Sequence, residues 1–395
     1  MLINRDIENA LEQFIKFPVV AILGPRQSGK TTMAQKFFAN YRYINLEEPE
    51  VLAYVTKDPK RFLREYENEY GIIIDEFQYA PQILSYIQIE ADTHNRPGYF
   101  VLTGSQDFLM NQAITQSLAG RVGILVLLPL SIHELAENKL IPKNIDQLMF
   151  QGGYPRIHAQ NIIPRALFPA YIQTYIERDV RQLINVENIL TFQKFMQLCA
   201  ARVGQLLNIS DIATQCGISQ KTVQEWLSIL TASYIIFLLK PYFNNFTKRL
   251  IKTPKLYFYD TGLACSLLNM RSAENLALSP FRGPLFENFI IADLYKQFFN
   301  LGFRPALYFW RDKNGRIEVD GLIDLGNKLI PLEIKSGETI NSDFFTGIKN
   351  WSEMANVNPE DAYIIYAGSS HQSRSAGTVI SWLNASTLIE KLEGL

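Results

Sequence analysis

The sequence predicts an α/β fold at both ends of the chain, joined through a mainly helical middle. Two changes of pattern lead to that reading. Before residue 130, short apolar runs (Val19–Leu23, Ile72–Ile74, Tyr99–Leu102, Gly123–Leu128) alternate with helix-length polar segments. Such alternation predicts a parallel sheet covered by helices on both faces, and runs without polar interruption suit strands buried on both sides. Beyond about Ser279, a helical stretch, Leu285–Phe299, precedes strand-like runs at Ala306–Trp310, Arg316–Asp324, Lys328–Ile334 and Ala362–Tyr366, with a tight turn at Gly326-Asn327. Between the two, Ile132–Lys240 reads as helical, broken at Gly152–Gly153, Pro164 and Gly217. Three domains follow, at 1–135, 136–275 and 276–395.

Composition bounds the function. The 395 residues are 47% hydrophobic and 19% charged, enough for several cores in a soluble globular protein. A net charge of −1 sets up no global field, so any surface for nucleic acid must be local. The three cysteines, Cys199, Cys216 and Cys265, form no CxxC pair. That pattern argues against a disulfide framework and a zinc site, and it fits a reducing cytoplasm. The N-terminal MLINRDIENALEQF reads as an amphipathic helix rather than a signal sequence. The longest apolar runs fall far short of the roughly 20 residues a membrane helix needs. A soluble, cytoplasmic protein without a membrane partner is expected.

Gly24-Pro25-Arg26-Gln27-Ser28-Gly29-Lys30-Thr31 fits GxxxxGK[ST] at every defined position. An apolar run leads into it and a helical pattern, Thr32–Phe38, leads out. Glycines let the backbone curl so that amides from Gln27, Ser28, Gly29 and Thr32 face phosphate oxygens. The helix N-terminus adds its dipole, Lys30 reaches the β- and γ-phosphates, and the Thr31 hydroxyl binds Mg²⁺. ATP with Mg²⁺ is the expected ligand. Gly71-Ile72-Ile73-Ile74-Asp75-Glu76 supplies the acidic strand end such a site needs. Asp75 would hold Mg²⁺ through water, and Glu76 would polarise the attacking water as general base.

A third strand runs into Thr103-Gly104-Ser105, where Ser105 could sense the γ-phosphate; the alternative is ordinary turn chemistry. Arg121 could contact phosphate in cis or in trans as an arginine finger, or be a plain surface arginine.

Asn208–Val223 reads as helix-turn-helix, with Ser210 capping a first helix, Gly217 at the turn and Ser219 capping a second. Tyr234–Lys240 and Lys255–Asp260 could add a winged hairpin. Lys240, Lys248, Arg249, Lys252 and Lys255 interleave with Tyr242, Phe243, Phe246 and Tyr257 without an acid. Basic groups neutralise phosphates and aromatics stack on bases, which makes DNA a candidate partner. A lid or a contact for a protein partner is the other reading.

Near the C-terminus, alternation places Asp320, Glu333 and Lys335 on neighbouring strands, with Glu333 and Lys335 on one face. Asp320 and Glu333 could hold Mg²⁺, Lys335 could activate a water, and Glu287 on the preceding helix could add a third carboxylate. The bland alternative is a solvated ion pair, which the apolar neighbours Val319, Leu322, Ile323, Leu332 and Ile334 disfavour.

Nearly end to end, the chain resembles the bacterial and archaeal AAA-type ATPases joined to a C-terminal DUF4143 domain. The P-loop form, Asp75-Glu76-Phe77-Gln78, Thr103-Gly104-Ser105, Leu118-Ala119-Gly120-Arg121 and Pro129-Leu130-Ser131 carry the resemblance. So do Gly152-Gly153-Tyr154-Pro155, Tyr175-Ile176-Glu177-Arg178-Asp179, Asp260-Thr261-Gly262, Glu318-Val319-Asp320 and Glu333-Ile334-Lys335. The resemblance implies an AAA-like ATPase domain, a helical and winged-helix middle, and a restriction-endonuclease-like α/β domain of the PD-(D/E)xK kind. In that domain Asp320, Glu333 and Lys335 would be the core, with Glu287 on its first helix; Val319 stands where the motif has proline. An ATP-driven, DNA-acting protein with a possible Mg²⁺-dependent nuclease site is the function implied. The alternative is a nucleotide-dependent switch for a protein partner, with an inactive C-terminal domain.

Overall fold

The computed structural model describes residues 2–105, 114, 117–176, 189–242 and 252–394. The chain opens with α1 (Ile7–Phe14), β1 (Val19–Gly24), α2 (Lys30–Phe37), β2 (Arg42–Asn45), α3 (Pro49–Lys57), α4 (Pro59–Glu65), β3 (Ile72–Asp75), α5 (Ile83–His94), β4 (Phe100–Ser105) and β5 (Val122–Val126). These strands form one parallel sheet in the order β2-β3-β4-β1-β5. β1 is buried along its whole length. Val19, Ala21 and Leu23 feed the apolar cluster on one face of the sheet, while Val20 and Ile22 feed the cluster on the other. A strand with helices on both sides must be apolar at consecutive positions, and this one is.

The middle comprises α6 (Ile132–Glu137), α7 (Ile145–Gln151), α8 (Pro155–Gln160), α9 (Pro164–Tyr171), α10 (Ile189–Ala200), α11 (Ile209–Cys216) and α12 (Gln220–Ala232). β6 (Ile236–Leu239) and β7 (Lys255–Phe258) then pair antiparallel, Ile236 opposite Phe258. Gly217 takes φ 70° between α11 and α12, and Ser219 caps α12 by accepting from the Thr222 amide. The first helix differs from expectation: Asn208, not Ser210, is its cap, accepting from the Asp211 amide. Asparagine in an extended conformation reaches that amide just as serine would.

The last part follows as α13 (Thr261–Leu267), α14 (Ala273–Ala277), α15 (Arg282–Asn300), β8 (Leu307–Arg311), β9 (Glu318–Asp324), β10 (Leu329–Lys335), α16 (Thr346–Ala355), β11 (Tyr363–Tyr366), β12 (Gln372–Arg374), β13 (Gly377–Ser381) and α17 (Leu388–Glu393). The six-stranded sheet runs β12-β13-β11-β10-β9-β8. β8, β9 and β10 are antiparallel neighbours, and β11 joins β10 in parallel through α16. One buried apolar cluster runs from Val126 through α15 to Ile389. The middle and last parts of the chain therefore share a core across residue 275. The cause is α15, which is buried on nearly every side and packs on β7 as well as β10.

Polar contacts fix the same junction. Asp260 is buried; it caps α13 by accepting from the Leu263 amide at 2.9 Å and accepts from the Gly153 amide at 2.6 Å. Gly152 takes φ 68°, and a Cβ there would lie 2.3 Å from the Asp260 carboxylate. No helix among the described residues is long and apolar enough to cross a membrane.

Asp260→Ala strands two buried amides at once. It is expected to lower the free energy of unfolding by roughly 2–3 kcal/mol, seen as a lower midpoint in chemical denaturation. Asp260→Asn, which keeps one acceptor oxygen, should cost less.

Candidate functional site

The phosphate-binding loop leaves the C-terminal end of β1, the strand between β4 and β5. Gly24 takes φ 151°, and a Cβ there would lie 2.1 Å from the Leu127 carbonyl oxygen, so only glycine lets the loop turn this tightly. Gln27 and Gly29 both have positive φ, 62° and 96°. The Ser28 hydroxyl is buried without a hydrogen-bond partner, and the Ser28 carbonyl accepts from Arg5 Nη1 at 2.7 Å. Lys30 starts α2 and is buried; its ammonium donates back to the carbonyls of Gly24 (3.1 Å) and Pro25 (2.8 Å). Burial lowers its pKa to about 8, against the pull of Glu76 and Asp75.

Asp75 ends β3 and collects three hydroxyls. Thr31 donates at 2.9 Å, Tyr43 at 2.7 Å, and Thr103 from the neighbouring β4 donates as well. Glu76 follows in the left-handed region at φ 54°. The Gln78 amide donates to its carboxylate and also to Ser105 Oγ at 3.2 Å. Burial raises the Glu76 pKa, while Lys30 and Gln78 hold it down.

Beside the loop lies a cavity of about 730 Å³ lined by Gln27, Gly29, Lys30, Thr31, Thr32 and Glu76. Further lining comes from elsewhere in the chain: Leu2 and Ile3 before α1, and Pro155 and Arg156 of α8. The residues fit a nucleotide with Mg²⁺. A partnerless buried hydroxyl, a basic group folded onto loop carbonyls and a threonine–aspartate pair meet at one helix start. Arg156 carries no signal in the sequence, because only the packing of α8 brings it there.

Arg121 requires a correction. It precedes β5, whose Val122 pairs with Val19 at the start of β1, whereas the phosphate loop leaves the other end of that strand. Five residues of strand separate the two, about 17 Å. Arg121 instead pairs with Asp92 of α5, Nη2 to Oδ2 at 3.0 Å, and donates to the Ala119 carbonyl. It cannot touch the phosphates in cis.

In the six-stranded sheet, Asp320 on β9 and Glu333 and Lys335 on β10 come together, as the spacing predicts. Asp320 accepts from the Ile334 amide at 2.9 Å, and Lys335 pairs with Glu333 at 2.5 Å. Burial, then Glu333 and Glu287, push the Asp320 pKa well up. Two residues absent from the predicted set complete the cluster: Glu318 on β9, and Lys255 from β7 of the middle part. Lys255 Nζ lies 3.0 Å from Glu287 and 2.7 Å from Glu318. Burial lowers the Lys255 pKa, but Glu287, Asp320 and Glu318 outweigh it and hold it above its usual value. Glu287 also accepts from the Tyr257 hydroxyl at 2.5 Å.

A second correction follows. Among the described residues no group of three or more His, Cys, Asp or Glu side chains is arranged to hold a metal ion. Glu287, Asp320 and Glu333 do not fit Mg²⁺ as arranged, because an ammonium stands among the carboxylates. A third correction concerns the basic stretch. Lys255 is 2% exposed and Tyr257 is fully buried, so neither can meet nucleic acid. Phe243, Phe246, Lys248 and Arg249 lie outside the described residues, as do Glu177, Arg178 and Asp179.

The sequence matches the AAA domain family (AAA_14) over residues 16–136. It matches a domain of unknown function (DUF8612) over residues 142–274 and another (DUF4143) over residues 282–385. Two uncharacterized mycobacterial proteins, Rv2008c of Mycobacterium tuberculosis and Mb2031c of Mycobacterium bovis, are each 30% identical over 345 residues, 86% of this chain and 75% of theirs. Among solved structures, the Walker-type ATPase PABY2304 of Pyrococcus abyssi is 14% identical, covers 66% of this chain and 94% of its own, and gives a TM-score of 0.42. The RuvB Holliday junction branch migration motor of Thermotoga maritima is 15% identical, covers 60% of this chain and 89% of its own, and gives a TM-score of 0.29. An AAA domain of P-loop ATPase type implies nucleotide binding, usually with Mg²⁺. The chain belongs to the family of the two mycobacterial proteins, and its sequence carries an AAA domain followed by a C-terminal DUF4143 domain.

Proposed function

We propose that this chain hydrolyses ATP at the cavity beside the phosphate loop. One observation carries the reading: Thr31, whose hydroxyl donates to Asp75, lines a single cavity of about 730 Å³ together with Lys30 and Glu76. In this reading, loop amides and Lys30 hold the β- and γ-phosphates, and Thr31 and Asp75 hold Mg²⁺. Mg²⁺ would neutralise charge developing on the phosphate oxygens. Glu76, steered by the Gln78 amide, takes the proton of the attacking water, and Ser105 senses the γ-phosphate through the same amide. Arg156 adds a cation from α8 to the wall of the cavity.

The rest of the chain supports two extensions. The paired helices α11 and α12 with the β6–β7 ladder support a winged-helix reading. The order α15-β8-β9-β10-α16-β11, with Asp320, Glu333 and Lys335 on adjacent strands, supports a PD-(D/E)xK nuclease-like fold. The filled carboxylate cluster favours the second functional reading, a nucleotide-dependent switch that engages a protein partner, over DNA cleavage.

Glu76→Gln should slow steady-state ATP turnover by about 100-fold while nucleotide still binds, and Lys30→Ala should abolish binding; undiminished turnover in Glu76→Gln would sink the hydrolytic assignment. Arg156→Ala should weaken ATP binding by about tenfold, read by fluorescence titration. A switch should turn over ATP at the same rate with and without DNA. Stimulation by DNA that disappears in the Lys248→Glu, Arg249→Glu variant would restore the DNA-acting reading.

The low pKa of Lys30 gives a pH dependence. Phosphate beside the ammonium favours its charged form, so the complex binds more protons than the free protein. Affinity for ATP should therefore fall as pH rises through about 8. Calorimetry in buffers of unlike ionisation heat should show proton uptake near that pH, and Lys30→Arg, charged throughout, should remove it.

A further inference from the structure

The carboxylate cluster of the last domain already has a cation. Four acidic side chains converge there, Glu287, Glu318, Asp320 and Glu333, from one helix and two strands. Lys255 reaches them from β7, outside this sheet, with its Nζ 3.0 Å from Glu287 Oε1 and 2.7 Å from Glu318 Oε1. Its charge also lies 5.5 Å from the centre of the Phe309 ring. A lysine is almost never this buried unless carboxylates hold it, and here the backbone pins it too. Lys255 bridges to Leu206 on one side and pairs with Leu239 on the other.

Three further oxygens of the cluster are engaged. Glu318 Oε2 pairs with Arg311 at 3.2 Å, Asp320 Oδ2 accepts from the Ile334 amide, and Glu333 Oε1 pairs with Lys335, while Tyr257 donates to the same Glu287 Oε1 that meets Lys255. Glu333 Oε2 is buried and without a partner. A divalent ion needs about six oxygen ligands, and here Lys255 already occupies Glu287 Oε1 and Glu318 Oε1.

We infer that Lys255 is the resident cation of this cluster, so that the last domain takes no divalent metal while β7 is seated. The cluster then serves as a socket that receives a strand from the middle of the chain. Withdrawal of Lys255 would turn the same four carboxylates into a hard-cation site. The inference stands apart from ATP hydrolysis and does not depend on it.

Mn²⁺ titration, with free ion followed by electron paramagnetic resonance, tests it on the full chain. The protein is nucleotide-free and carries Thr31→Ala, so that the phosphate loop contributes no metal. With Lys255 present, Mn²⁺ uptake should match that of the Asp320→Asn variant. Lys255→Met should gain about one equivalent, bound about tenfold or more tighter than any background, and adding Asp320→Asn should remove it. Lys255→Arg should remain metal-free. One equivalent bound with Lys255 in place and lost in Asp320→Asn would overturn the inference, as would a folded Lys255→Met protein, judged by circular dichroism, that binds none. Should Lys255→Met fail to fold, the comparison with Lys255 intact decides alone.

Discussion

The buried guanidinium of Arg5 is the contact on which the nucleotide side of the molecule depends. Its Nη1 holds the Ser28 carbonyl at 2.7 Å, its Nη2 holds the Leu128 carbonyl at 2.7 Å, and its Nε pairs with Glu134 at 2.8 Å. A planar fork of donors can satisfy three acceptors in fixed directions, which lysine cannot. Glu134 is fully buried and answers with both oxygens, accepting from the Ser131 amide at 2.8 Å and the Asp6 amide at 3.0 Å. Removal of either partner would leave a charge buried without its counterion, a loss of about 3–5 kcal/mol. The phosphate loop, the exit from β5 and the start of α6 thus share one electrostatic centre.

That centre continues into the last domain. The Ile132 amide, at the first turn of α6, donates to Asp293 of α15 at 2.7 Å, and Lys296, one turn on, donates to the Leu130 carbonyl at 3.0 Å. Burial raises Asp293 to about 6, with Lys296 and the amides opposing. Only a few residues therefore separate the loop that would hold phosphate from the helix that supports the second sheet. The contacts between the two are short, polar and buried.

What the sequence made legible was local in origin. The phosphate loop, β1 and the Asp75-Glu76 strand end are written in consecutive residues, and so is the spacing that brings Asp320, Glu333 and Lys335 together. Short half-exposed strands were not legible: β2 shows one buried position among four, too few for a pattern. Arg121 and Lys255 failed for a different reason. Each looked like a free basic residue, and each proves to be paired by a residue distant in sequence, Asp92 in one case and Glu287 with Glu318 in the other. Arg156 was missed for the converse reason, since packing alone carries it to the cavity. The continuity of the core across residue 275 likewise needs α15 in place before it can be seen.

The three hydroxyls around Asp75 have a consequence for what the site will accept. Thr31, Tyr43 and Thr103 each direct their single proton at the same carboxylate. A hydroxyl so committed has only lone pairs left to offer. On the side facing the cavity, Thr31 therefore behaves as an electron donor and not as an acid. The chemical polarity of that corner is fixed by its neighbours before any ligand arrives: an electron-poor ion is welcomed, and a second anion is turned away towards the amides of the loop.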